Sequence, residues 1–242
     1  MENLINSILM YNHMTITVLT DVMGTVVHID FIRALTGYFR DNGVRYIETT
    51  NDSEVLELID RIRKKTGLET GEEIVEHIVK QIEKRNLDPD YMALTGLVNS
   101  EGYQTGKLEA KVFDDVPRAF QRWKRNGAGI YLYSHGSEQE QREIFGHTTQ
   151  GDLTHMIDGY FDTSIVGPKT KADSYKRVSD RLKNNTREML FLSDRVDELD
   201  AADKAGCHVF LVDRPGNPLI ENPKYAIITN FDILHPDWVH PG

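Results

Sequence analysis

A single cysteine in 242 residues, Cys207, excludes an intrachain disulfide and leaves nothing for a cysteine-based metal site. It fits a reducing compartment, where it reads as a small apolar side chain packed beside Gly206. No stretch approaches the roughly eighteen apolar residues of a membrane span. The first thirteen residues also lack the basic start, apolar core and small-residue cleavage pattern of a secretory leader, and Met14 offers a second start. A soluble, cytoplasmic protein is the expectation. Basic patches are missing too: 38 acidic against 28 basic residues give a formal charge of -10, which repels nucleic acid and anionic membranes. The densest basic run, Arg61-Ile62-Arg63-Lys64-Lys65, falls at the end of a predicted helix and reads as a solvated face. There are no internal repeats, no low-complexity tracts and no Walker-type phosphate loop, and Gly102-Tyr103-Gln104-Thr105-Gly106 reads as a turn.

What the chain does have is length enough for a core plus a smaller unit, and a rhythm of strand, polar tip and helix. Residues 16–20 read as a short buried strand closed by Asp21. From 31 to about 110 the character becomes helical. A helix over 31–42 is stopped by Gly43, a second is capped by Ser53 and ends near Gly67, and a third runs from a Thr70 capping box to Arg85, with Pro89 closing the passage. Then come a helix from Asp115-Val116-Pro117 to Asn126, a strand over 129–133, a helix over 172–182, a strand over 189–192, a helix over 198–205 and a strand over 209–212. The pattern predicts an α/β fold: a doubly wound, Rossmann-like parallel sheet from residues 14–30 and 111–242, split by a helical cap over 31–110.

Four polar residues fall at strand ends or in a following turn. Asp21, in Val18-Leu19-Thr20-Asp21-Val22-Met23-Gly24-Thr25, ends a strand at the ligand-facing edge expected of parallel sheets. Ser134 ends the strand Gly129-Ile130-Tyr131-Leu132-Tyr133, Lys169 sits in Gly167-Pro168-Lys169, and Asp194 follows Phe191-Leu192-Ser193. Alone, each has a plainer role as a cap, a turn residue or a surface lysine. Together they are the set that phosphoryl transfer to a carboxylate requires. Asp21 attacks phosphorus, Ser134 donates to a phosphate oxygen, and Lys169 offsets the anionic repulsion. Asp21, Asp194, a backbone carbonyl and waters complete an octahedral Mg²⁺ site. His135, His147 and His155 share no metal-ligand spacing and read as exposed or locally hydrogen-bonded. The acidic cluster Asp197, Glu198 and Asp200 reads as the charged first turn of a helix, with one member able to orient a metal-bound water.

The order of motifs resembles the haloacid dehalogenase superfamily and, within it, the enolase-phosphatase (acireductone synthase) family of methionine salvage. The likeness is dense through the second half, in Tyr131-Leu132-Tyr133-Ser134-His135-Gly136-Ser137, Phe145-Gly146-His147, Gly159-Tyr160-Phe161-Asp162, Gly167-Pro168-Lys169, Phe191-Leu192-Ser193-Asp194 and Val212-Asp213-Arg214-Pro215-Gly216-Asn217-Pro218. It is looser over the cap, where Gly102-Tyr103 and Gly106-Lys107-Leu108 resemble the family's substrate-facing loop. The resemblance implies a Mg²⁺-dependent, monomeric enzyme that enolises 2,3-diketo-5-methylthiopentyl-1-phosphate and then removes its phosphate. Asp21 is then nucleophile and metal ligand, Met23 a metal ligand through its backbone carbonyl, and Asp194 a metal ligand. Ser134 and His135 contact substrate, and Lys169 contacts phosphate. Two positions depart from the family pattern, which has Glu where Met23 stands and usually a second Ser where His135 stands. A thioether cannot carry a proton, so the expectation is slow turnover, or a proton carried by His135 or a cap residue. The alternative is a relative that binds a phosphometabolite without converting it. Asp194 argues against a dehalogenase, which would have no use for a metal-binding carboxylate.

Overall fold

The computed structural model describes residues 16–234. The readings made of Met14 and of the first thirteen residues fall outside that span. Six strands form one parallel sheet in the order β3-β2-β1-β4-β5-β6, with β1 Thr17–Thr20, β2 Gly129–Ser134, β3 Gly159–Asp162, β4 Met189–Ser193, β5 His208–Val212 and β6 Ile227–Ile228. This is the doubly wound sheet expected from the alternating pattern. Alternation along each strand builds two apolar layers. Val18, Ile130, Leu132, Leu190 and Leu192 pack in one layer with Val116, Phe120 and Trp123 of α5 (Asp115–Arg125). Leu19, Tyr133, Met189, Phe191 and Leu211 pack in the other with Tyr175 and Val178 of α8 (Ala172–Leu182) and Leu199 and Ala202 of α9 (Val196–Ala205).

Four helices stand between β1 and α5: α1 Phe31–Thr49, α2 Ser53–Thr66, α3 Gly71–Glu83 and α4 Pro89–Gln104. In α2, Val55, Leu58, Ile59 and Ile62 form one buried stripe at helical spacing. In α3 the Thr70 hydroxyl accepts from the Glu73 amide while Glu73 accepts from the Thr70 amide, so the capping box read from sequence is present. Three readings here are corrected. Gly43 does not stop α1. It is buried, and a Cβ there would stand 2.8 Å from Val75 Cγ2, so the glycine lets α1 approach α3. The cap of α2 is Asp52 rather than Ser53, its carboxylate accepting from the amides of Glu54 and Val55. Pro89 opens α4 at a first-turn position behind Asp88 rather than closing the passage. Gly102, Tyr103 and Gln104 accordingly finish a helix, and only Thr105 and Gly106 turn.

The strands β3 and β6, helix α6 (Glu138–Gly146) and the single turn α7 (Thr163–Val166) were not read from the sequence. β3 is only four residues, and β6 two, too short for a period to declare itself.

Candidate functional site

Strand register fixes the site before any side chain is considered. Thr20 stands opposite Leu132 on one side and Leu192 on the other, so Asp21, Ser134 and Asp194 emerge at one edge of the sheet. The Asp21 amide donates to the Leu192 carbonyl at 2.8 Å and keeps β1 and β4 paired up to that edge.

Asp21 is 7% exposed. One carboxylate oxygen accepts from the Lys169 ammonium, the other from the Thr25 hydroxyl at 3.3 Å. That hydroxyl in turn accepts from the Asp194 amide at 3.2 Å, tying the two acidic strand ends together. The turn over 22–27 closes on itself, with the Val26 and Val27 amides donating to the Val22 carbonyl. Gly24 has φ of 81°, and a Cβ there would lie 2.6 Å from Asp194 Oδ2, so only glycine lets this turn pass beside the second carboxylate.

Arg214 pins the same turn from below. Its Nε donates to the Thr25 carbonyl at 3.1 Å, its two terminal nitrogens hold Asp115 at 2.9 and 2.8 Å, and its guanidinium lies over the rings of Phe113 and Phe231. A planar fork held on both faces and both edges cannot be replaced by a point charge. Asn217 adds a bond from its amide to the Gly24 carbonyl at 2.8 Å.

Lys169 is 1% exposed, so it is no surface lysine. It lies between Asp21 and Glu198, 2.7 Å from Glu198 Oε2, with the rings of Tyr133 and Phe191 beside it. Burial disfavours its charge, but the two carboxylates outweigh that and hold the ammonium above its ordinary value. Glu198, 1% exposed, also accepts from the Ser193 hydroxyl at 2.8 Å. Its reading as a mere first-turn charge is corrected: it belongs to α9, and the helix points it inward at Lys169. Asp197 and Asp200 are exposed, as a charged helix face is.

Ser134 is half-buried and its oxygen accepts from the Gly136 amide at 3.2 Å. His135 is half-buried, and burial followed by the charge of Lys169 lowers its pKa to about 4, so the imidazole is neutral at pH 7. The other two histidines lie as expected: His147 bonds the Glu143 carbonyl and His155 is exposed. Cys207 is buried.

Asp194 Oδ1 is buried without a hydrogen-bond partner. Burial, then the charge of Asp21, push its pKa up to about 7. Two carboxylates converging with an orphaned oxygen fit a hard divalent cation, which takes oxygen donors and keeps several waters. Met23 is half-buried against the apolar layer and carries no second acid into the site. Among the described residues no cluster of three or more His, Cys, Asp or Glu side chains has metal-site geometry. A cation here rests on two carboxylates and backbone. Likewise no helix among the described residues is long and apolar enough to cross a membrane.

The site thus sets an acidic strand end, a buried lysine and a second acidic strand end along one edge of a parallel sheet, and residues 17–206 match the family model of the haloacid dehalogenase-like hydrolases. The chain is 34% identical over 231 residues to the enolase-phosphatase E1 of Synechococcus elongatus, covering 90% of this chain and 97% of that one. It is 33% identical over 241 residues to that of Anopheles gambiae, covering 90% and 81%. The solved structure of the UTR4 protein of Saccharomyces cerevisiae superposes with a TM-score of 0.73 at 32% identity, covering 91% of this chain and all of that one. CbbY of Rhodobacter sphaeroides in complex with phosphate, at 16% identity and a TM-score of 0.59, shares the fold. The chain belongs to the haloacid dehalogenase-like hydrolases, in the branch of the enolase-phosphatases E1.

Proposed function

We propose that this hydrolase is a Mg²⁺-dependent enolase-phosphatase of methionine salvage, acting on 2,3-diketo-5-methylthiopentyl-1-phosphate through an aspartyl phosphate on Asp21. The observation that carries the reading is Lys169, buried between Asp21 and Glu198 beside the second acidic strand end, Asp194. A fixed cation in contact with the nucleophile lowers the cost of bringing a phosphate dianion to a carboxylate.

An Asp21 oxygen attacks phosphorus, the bond from phosphorus to the ester oxygen breaks, and the phosphoryl group rests on Asp21. Water then attacks the same phosphorus, and the acyl–phosphate bond breaks to return the carboxylate. Ser134 donates to a non-bridging oxygen, His135 contacts the substrate beside it, and Lys169 stays paired with Glu198 while it binds phosphate. Asp21, Asp194 and the Met23 carbonyl would hold Mg²⁺, which supplies charge neutralisation for the transferring group. The four helices over 31–104 act as the cap that selects the organic part of the substrate. The enzyme works as a monomer in the cytoplasm, with a small phosphorylated diketone as its partner and neither nucleic acid nor membrane.

Met23 favours a second reading, a site that binds the phosphometabolite without turning it over. One experiment separates the two: phosphate release from the diketo phosphate, with and without Mg²⁺, by the native chain, Asp21→Asn and Met23→Glu. Mg²⁺-dependent release that Asp21→Asn abolishes supports the enzyme. Release by Met23→Glu alone, with substrate bound by both chains, supports the binding protein.

A further inference from the structure

Helix α4 lies on helix α6 with the face that carries Gly96, Asn99, Ser100 and Tyr103. A Cβ on Gly96 would stand 3.5 Å from Glu140, and Ser100 donates to Glu143 at 3.0 Å one turn further along. Glu140 is 5% exposed, Asn99 is fully buried and Tyr103 is 2% exposed. Hydrogen-bonding capacity goes unused in this seam. Among the described residues, Glu140 Oε2, both polar atoms of the Asn99 amide and the Tyr103 hydroxyl are buried without partners. Buried polar atoms are nearly always paired, and unpaired ones in a native protein mark strain, an enclosed water or a functional role.

The seam adjoins the phosphate-binding loop. A Cβ on Gly136 would lie 2.4 Å from Glu140 Oε2, and the Gly136 amide donates to Ser134. The Gln141 amide fixes the next peptide through the Gly136 carbonyl at 3.0 Å. In an in-line displacement the ester oxygen leaves on the side of phosphorus opposite Asp21 and carries substrate C1 with it. Enolisation removes a proton from C1. Met23 has no atom to receive it, and a neutral His135 with so low a pKa is a poor base.

We infer that Glu140 is the base of the enolisation step, with Asn99 and Tyr103 as donors to the diketone oxygens, an inference that rests on the enolase-phosphatase reading above. A Glu140 oxygen takes the C1 proton, the C–H electron pair becomes the C1–C2 double bond, and the carbonyl pair moves to the oxygen on C2. That oxygen takes the proton back from Glu140, so the enol phosphate forms with no net gain or loss. Burial holds the Glu140 pKa up at about 7, where a carboxylate is basic enough for the task and still ionised in useful amount. The titratable groups beside it are Tyr103 from α4, whose hydroxyl feels both Glu140 and Glu143, and Glu143 on its own helix.

The test follows two reactions of the Mg²⁺-loaded protein. One is enolisation of the diketo phosphate, read by ultraviolet absorbance. The other is hydrolysis of p-nitrophenyl phosphate, which has no proton alpha to a carbonyl and cannot enolise. Glu140→Gln is expected to slow enolisation by about 10²-fold or more relative to p-nitrophenyl phosphate hydrolysis. Glu140→Asp is expected to restore part of it, and the native rise of enolisation rate through about pH 7 is expected to vanish in the Gln variant. If both reactions fall together, Glu140 only shapes the fold and the inference is overturned. If Glu140→Gln enolises at the native rate, the inference alone is overturned and the enolase-phosphatase reading stands. If the native chain hydrolyses p-nitrophenyl phosphate but never enolises the diketone, that reading falls and the inference with it.

Discussion

Glu140 also makes a thermodynamic prediction that needs no substrate. Its carboxyl is buried, one oxygen has no partner, and its pKa is pushed up from 4.5 to about 7 by burial. The folded state therefore holds this proton more tightly than the unfolded chain does. Stability from the group is fully present below about pH 4.5 and is lost as the pH rises through about 7. The loss amounts to about 1.4 kcal/mol per pH unit over this window, roughly 3 kcal/mol in all. A glutamine of the same shape does not titrate. In thermal melts of the metal-free chain, Glu140→Gln should gain on the native protein as the pH is raised from 4.5 to 8.5. For a chain of this size roughly 3 kcal/mol corresponds to about 6–12 °C. Asp194, whose pKa is also raised, is common to both proteins and drops out of the difference. A difference that stays flat across the range within about 2 °C would refute the reasoning, because it would mean that Glu140 is solvated or paired in solution.

Removing the cation of the site should be more damaging than removing any exposed charge. Lys169→Met leaves Asp21 and Glu198 buried without their shared partner, at a cost of about 3–5 kcal/mol in urea unfolding at pH 7; stability within about 1 kcal/mol of native would show that the pocket admits water freely. Phosphate release should fall with it by at least about 10²-fold. Gly24→Ala forces a Cβ toward Asp194 Oδ2 at a positive φ, and is expected to weaken Mg²⁺ binding by about tenfold or more in calorimetric titration. Unchanged affinity would mean that Asp194 is not a ligand.

Much of the fold was legible because its signals are local. Parallel strands buried on both faces announce themselves as short apolar runs, and polar residues at their ends marked Asp21, Ser134 and Asp194 before any register was known. The helix starts at Thr70 and Asp115 were visible through their capping and first-turn chemistry. What was not legible depends on packing at a distance. Gly43 looks like a helix stop until Val75 is seen against it, and Pro89 reads equally as an end or a beginning. Lys169 passes for a surface lysine until β1 and α9 bring Asp21 and Glu198 to either side of it. Glu198 lies four residues after Asp194, and its direction depends on how α9 is rotated. Arg214 and Thr25, which fix the turn after Asp21, are 189 residues apart in sequence.

A thioether in place of an acid at position 23 weighs differently on different substrates, and this yields the sharpest use of Met23→Glu. A simple alkyl phosphate expels an alkoxide, which needs a proton as it departs. The enol phosphate formed from the diketone expels an enolate conjugated to the neighbouring ketone, a far weaker base that leaves without one. The value kcat/KM reports steps up to leaving-group departure and is blind to later hydrolysis of the aspartyl phosphate. Met23→Glu should therefore raise kcat/KM for an alkyl phosphate by roughly 10²-fold or more. For the diketo phosphate the gain should stay within about tenfold. Equal gains on both substrates would show that leaving-group protonation is not what position 23 contributes. The smaller gain would explain how a site built around Asp21, Lys169 and Asp194 can accept a thioether there and remain an enzyme for its own substrate.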